Sequence, residues 1–137
     1  MRFAALLLVL AGLLAAAQAA DPAPATPTLG QPFTLGVGQA ATLAGTDLTV
    51  TFKLVDSDSR CPEGARCAWA GEAIVTLLLA QPNQPEVKLK LRVSDQAGSV
   101  HGAFHLQATG LTPYPKMDTR LVAGEYAVTL VITQPKP

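Results

Sequence analysis

Glu86-Val-Lys-Leu-Lys-Leu-Arg-Val93 alternates without a break. Val87, Leu89, Leu91 and Val93 fall on one side of an extended chain, and Lys88, Lys90 and Arg92 on the other. That is the period-two pattern of a strand with one dry and one wet face. The basic stripe suits a solvated sheet face, or an edge guarded against pairing with other chains. Pro82 and Pro85 in the preceding Gln81–Pro85 turn keep a helix from crossing into it. Upstream, Ala73–Ala80 (A-I-V-T-L-L-L-A) is apolar on both faces, as a central strand is.

Working outward, Leu48–Val55 repeats the alternation, with Leu48, Val50, Phe52 and Leu54 on one face and Thr49, Thr51 and Lys53 on the other. Shorter strands are predicted at Phe33–Leu35 and Ala40–Ala44, on either side of a Gly36–Gln39 turn. A last strand spans Glu125–Thr133, with Tyr126, Val128, Leu130 and Ile132 on one face. Phe104–Thr109 is ambiguous: Phe104, Leu106 and Ala108 alternate, but Val100, Phe104, Ala108 and Leu111 also fit a helical face. Gly98, Gly102 and Gly110 disfavour the helix, so the segment is read as a strand. Ser94–Gly102 reads as a polar loop and Leu111–Pro115 as a rigid crossing segment.

About seven short strands with turn signals roughly every ten residues define an all-β domain. The expected architecture is a single antiparallel β-sandwich, immunoglobulin-like, over residues 33–134; a small β-barrel is the rival. Ala123-Gly124-Glu125-Tyr126 resembles the tyrosine corner of immunoglobulin-like and fibronectin type III domains. That resemblance implies a hydroxyl bonded back to upstream backbone.

The ends carry a different kind of information. Arg2, the apolar run Phe3–Ala17 and the small residues of Ala17-Gln18-Ala19 read as a secretory signal over residues 1–19, too short for a membrane span. Removing 19 of the 137 residues leaves 118, one domain's worth. Residues 20–32, with four prolines, read as an extended tether. The formal charge is zero for the whole chain, so nothing points to nucleic acid or an anionic membrane surface as a partner. A periplasmic or secreted location is expected, and it permits a disulfide.

The chemically densest stretch is Asp56–Gly71, D-S-D-S-R-C-P-E-G-A-R-C-A-W-A-G, which holds both cysteines and the only tryptophan. Cys61 and Cys67 are too far apart for a C-x-x-C redox pair and lack two further zinc ligands at suitable spacing, so they are expected to form a structural disulfide. Trp69 has two readings, a ring covering the bridge or an exposed interface anchor. If the closed loop projects, Arg60, Arg66 and Trp69 are its anchors, with Asp58 and Glu63 beside them. Arg60 can instead pair with Asp56 or Asp58. The alternate carboxylates start like a calcium loop, but Arg60 sits where a third oxygen ligand belongs.

His101 and His105 are the remaining metal candidates, with Met117 as a soft third ligand. On a helix they would share a face; on a strand they lie about 13 Å apart, too far for one ion. No nucleophile elbow, phosphate loop or dinucleotide fingerprint occurs, so neither an enzyme nor a cofactor is expected.

The run D-S-R-C-P-x4-C-x-W-A-G-x-A at Asp58–Ala73, with L-x-P-Y-P at Leu111–Pro115, resembles a group of small exported bacterial proteins. The likeness spans most of the mature domain and implies a secreted domain without contributing catalytic residues or a ligand. The expected function is a monomeric, non-catalytic binding or accessory module of the bacterial envelope, engaging an envelope or extracellular protein through loop 56–72. Two alternatives are a copper, zinc or small-molecule binder using His101 and His105, and a small protease inhibitor presenting Pro62–Arg66.

Overall fold

A computed structural model describes residues 26–135. The expected signal peptide and the first part of the tether, residues 20–25, lie outside the described residues. Eight strands follow one another: β1 (Phe33–Gly36), β2 (Ala40–Thr42), β3 (Thr49–Asp58), β4 (Ala73–Ala80), β5 (Val87–Arg92), β6 (Ser99–His101), β7 (Phe104–Thr112) and β8 (Ala127–Thr133). Among the described residues the one helical turn is a 3-10 segment at Ala123–Glu125.

The strands form two four-stranded antiparallel sheets, ordered β1-β8-β7-β6 and β2-β3-β4-β5. The architecture is a β-sandwich, and the sheets do not close into a barrel. Neighbouring strands are mostly consecutive in sequence, whereas an immunoglobulin domain uses Greek-key crossings. The likeness to that family therefore lies in the layering rather than in the connections.

The core is built from the inward sets of both sheets. Val50, Phe52, Val75, Leu77 and Leu79 face Leu106, Ala108, Val128, Leu130 and Ile132, all essentially inaccessible to solvent. Burying side chains of this size contributes about 1.5–3 kcal/mol each. β4 is an inner strand, as its sequence indicates. Its outward residues Ile74 and Leu78 are half-buried, directly opposite Arg92 and Lys88 on β5. Long cationic side chains at such positions can cover apolar surface with their aliphatic stems, and Arg92 Nε pairs with the Glu72 carboxylate at 2.7 Å.

Three departures from the sequence pattern share a physical cause or a length limit. In β3 the pairing slips between Phe52 and Leu54 and again between Val55 and Ser57. Each β-bulge adds a residue and turns the following side chains to the other face. Leu54, expected inside with Phe52, is therefore 38% exposed, while Val55 packs against the core. In β7 a slip between Ala108 and Gly110 brings Leu111 inward. The strand therefore runs three residues past its predicted end at Thr109. Finally, Ser99–His101 is a short eighth strand where a loop was expected.

The described end of the tether belongs to the domain. Leu29 packs against the core, Gly30 N–H donates to the Ile132 carbonyl at 2.8 Å, and Ala44 N–H donates to the Pro27 carbonyl at 2.8 Å.

Candidate functional site

The cysteine stretch is the far end of the β3–β4 hairpin. Beyond the last strand pair, Asp58 with Ala73, the ladder continues. Ser59 N–H donates to the Glu72 carbonyl at 2.8 Å, and Cys61 N–H donates to the Ala70 carbonyl at 2.8 Å. Ser59 Oγ accepts from Glu72 N–H at 3.0 Å and donates back to the Glu72 carbonyl at 3.0 Å. Gly71 permits this approach: its φ is +71°, and a Cβ there would sit 1.7 Å from the Ser59 carbonyl oxygen. The Cys61–Cys67 disulfide closes the tip, and no free cysteine is present among the described residues.

The second bulge in β3 sends Asp56 and Asp58 to different places. Asp56 accepts from the Thr76 hydroxyl and pairs with Lys90 at 3.2 Å on the outer sheet face. Its carboxyl is held below the ordinary 3.8 by the Thr76 hydrogen bond, against a smaller effect of burial, with help from Lys90. Asp58 instead meets Arg60 in a two-pronged ion pair, with Nε at 2.8 Å from Oδ1 and Nη2 at 2.7 Å from Oδ2. Tyr126 donates its hydroxyl to the same Oδ2 at 2.9 Å. The two carboxylates do not converge, so no calcium loop is formed.

Arg60 is committed to the protein's interior contacts. Besides Asp58, its Nη1 donates to the Leu111 carbonyl at 2.7 Å and its Nη2 to the Pro113 carbonyl at 3.1 Å. The Tyr114 ring lies under the guanidinium at 4.8 Å, a favourable cation–π distance. Only 11% of the Arg60 side chain and 9% of the Asp58 side chain remain exposed. Burial alone would raise the Asp58 carboxyl. The Arg60 and Tyr126 hydrogen bonds, with the guanidinium charge, outweigh it and hold the group below 3.8. Burial and the same carboxylate push the Tyr126 hydroxyl above 10.0.

A second set of contacts clamps the tip to the β7–β8 connection. The Tyr114 hydroxyl donates to the Cys61 carbonyl at 2.9 Å. Glu63 N–H donates to the Pro115 carbonyl at 2.9 Å, and Met117 N–H donates to the Glu63 carbonyl at 3.2 Å. The two separate stretches of the quoted motif, Asp58–Ala73 and Leu111–Pro115, are thus in direct contact. Beneath the clamp lies a cleft of about 320 Å³, bordered by Arg60, Gly71, Glu72, Ser94, Leu111 and Tyr114.

The sequence candidates divide accordingly. Asp58 and Arg60 hold the tip in place and do not project from it. The Glu63 carboxylate lies 4.0 Å from Lys116 Nζ, and both backbone groups of Glu63 are hydrogen-bonded, to Pro115 and Met117. Arg66 is exposed. Trp69 does not cover the disulfide: 79% of it is exposed. Met117 is half exposed and lies against Gly64.

The histidines are kept apart. Register pairs His101 with Phe104 and Val100 with His105. Directly opposed residues share a face, so His101 and His105 point to opposite sides of the β6–β7 hairpin. His105 Nε2 is already 2.7 Å from the Ala97 carbonyl. Among the described residues no group of three or more His, Cys, Asp or Glu side chains is clustered to hold a metal.

Tyr126 departs from the tyrosine-corner expectation. Its hydroxyl reaches a carboxylate of the opposite sheet rather than upstream backbone, because the β3 bulge turns Asp58 toward it. Sequence reasoning also missed Tyr114 as a brace. Its available signal was the pair of prolines flanking it, which hold the segment extended.

The chain matches no protein-family model, no curated protein and no solved structure. Among the described residues no helix is long and apolar enough to cross a membrane.

Proposed function

We propose that this is a non-catalytic binding or accessory module of the bacterial envelope that engages a protein partner through the tip of the β3–β4 hairpin. The observation that carries the reading is the exposed Trp69 ring on a tip held by a disulfide, an extended ladder and the Tyr114 and Glu63 contacts. A large ring kept in water on a rigid support loses little freedom on binding, and tryptophan and arginine dominate interface energetics. Arg66, exposed on the same loop, is the charged anchor. The signal-like residues 1–19 and the resemblance to small exported bacterial proteins support placing the module outside the cytoplasm, where the disulfide persists.

The test compares the wild type with Trp69→Ala/Arg66→Ala as immobilised bait for envelope extracts, alongside thermal melts of both. A partner retained by the wild type and lost by the double variant, at unchanged melting temperature, is the expected result. Equal retention by both proteins overturns the proposal.

A further inference from the structure

We infer that the groove between β1 and β2 is a second binding site, which takes an extended, uncharged peptide segment as an added strand on β2. β1 and β2 are the edges of opposite sheets at one open corner of the sandwich. Between them runs a groove of about 530 Å³, lined by Thr26, Pro27, Phe33, Thr34 and the Gln39–Thr42 stretch. Stacked sheets lie about 10 Å apart and paired strands about 4.8 Å apart, so one extended chain fits between two such edges.

The backbone of β2 shows which groups await it. Phe52 N–H donates to the Gln39 carbonyl at 3.0 Å, and Leu43 N–H donates to the Leu48 carbonyl at 3.0 Å. In an antiparallel pair this assigns the odd positions 39, 41 and 43 to β3 and turns Ala40 and Thr42 outward. Ala44, on the same outward parity, already donates to the Pro27 carbonyl at 2.8 Å. One rung of a further strand pairing therefore exists, and the next two, at Thr42 and Ala40, have no backbone partner among the described residues. On the facing edge, Thr34 has the same outward parity in β1, because Val37 N–H bonds to the Tyr126 carbonyl and Leu35 pairs with Val128.

Charge selects the class of occupant. No charged residue occurs from Pro22 to Thr46, so nothing at this edge pairs with a charged ligand or repels a neutral one. The opposite open corner is built otherwise. There β5 carries Lys88, Lys90 and Arg92 along its exposed face, and a Val93–Ala108 bridge ties the two sheets together. Charged side chains are a usual protection against edge pairing. β2 is as short as β6 and is met by Pro27 at one end, but it carries no charge and has the geometry for strand addition.

The experiment measures amide hydrogen exchange at Ala40 and Thr42 in the full chain. The probe is the blocked hexapeptide acetyl-Thr-Val-Thr-Ala-Thr-Val-amide; its counterpart carries glutamate in place of each threonine. The neutral peptide is expected to slow both amides by roughly tenfold or more at saturation, and the acidic one to leave them unchanged. Ala40→Pro deletes one outward donor at the first residue of an edge strand, where proline is tolerated, and should abolish the effect. If that variant does not fold, Ala40→Lys, which changes an exposed side chain, serves in its place. Trp69→Ala should leave the effect intact, which separates this site from the hairpin tip. The inference fails if neither amide slows, if both peptides act alike, or if the position 40 variants respond as the wild type does. It fails equally if the amides are already protected without peptide. Protection that rises with protein concentration would identify a second copy of this chain as the occupant; protection independent of concentration would identify the chain itself.

Discussion

The Tyr126 hydroxyl lies 2.9 Å from Asp58 Oδ2, so the strand that completes one sheet is joined through a carboxylate to the strand that starts the hairpin of the other. Asp58 is in turn gripped by Arg60, and Arg60 holds the carbonyls of Leu111 and Pro113. Three segments separated in sequence meet on one part-buried charge pair.

Removing only the hydroxyl, by Tyr126→Phe, keeps the ring in the core and takes one donor from a charged acceptor. Such a hydrogen bond contributes about 1.5–3 kcal/mol. We expect Tyr126→Phe to lose about 1–2 kcal/mol because Arg60 continues to satisfy Asp58. Urea unfolding at neutral pH measures it.

Arg60 and Arg66 should behave oppositely. Arg60→Ala leaves Asp58 buried without its cation, a defect that costs about 3–5 kcal/mol. Arg66→Ala and Trp69→Ala alter exposed groups and should stay within about 0.5 kcal/mol of wild type. Thermal melts of the three variants, side by side, separate the brace from the surface it presents.

Acid should unfold the protein through this pair. Because the folded-state carboxyl of Asp58 lies below 3.8, its contribution is complete above the unfolded value and is lost as pH falls through the folded one. Asp56 acts in the same direction. Tyr126 has the opposite sign: its hydroxyl is raised above 10.0, so its contribution is complete below 10.0 and lost as pH rises through the folded value. Stability measured from pH 2 to 11 should therefore fall at both ends. Asp58→Asn should flatten the acid limb, and Tyr126→Phe the alkaline one.

Gly71→Ala should be among the most damaging single changes in the hairpin. The residue has a positive φ, and a methyl group there would overlap the Ser59 carbonyl, so the loss should reach about 3 kcal/mol or more. Gly124→Ala has open space and no positive φ, and it should be close to neutral by the same urea measurement.

Reduction of the disulfide should cost about 2 kcal/mol on the chain-entropy view of so short a loop. The tip should nonetheless keep its position, since Tyr114 and Glu63 hold it independently. Melting with and without reductant gives the energy; the chemical shifts of the Glu63 and Met117 amides report the position.

The all-strand character and most strand positions were legible because the apolar residues of β5 and β8 alternate without interruption and β4 is a short apolar run on both faces. What escaped did so where pairing slips. An extra residue makes positions three apart share a face, so Phe52 with Val55 and Ala108 with Leu111 imitate helical spacing in a strand. Uninterrupted alternation puts Leu54 inward for this reason, and the slip also accounts for the Ala108–Leu111 part of the helical spacing around Phe104–Thr109. β6 was invisible because Ser99–His101 carries one apolar residue, and that one, Val100, faces water. At the site, residue types indicated a constrained charged tip but not its division of labour. Whether Arg60 or Arg66 faces solvent depends on carbonyls 51 and 53 residues away, which no local pattern records.

The backbone bond from Gly30 to Ile132 and the pairing of β1 with β8 put the domain's entry and exit side by side. Tension applied between these two points would load the β1–β8 rungs one at a time, like a zipper, rather than all together in shear. Peeling should therefore start at the Gly30–Ile132 bond and pass to Phe33 under modest force, while the hairpin tip, held by contacts on other strands, keeps its shape.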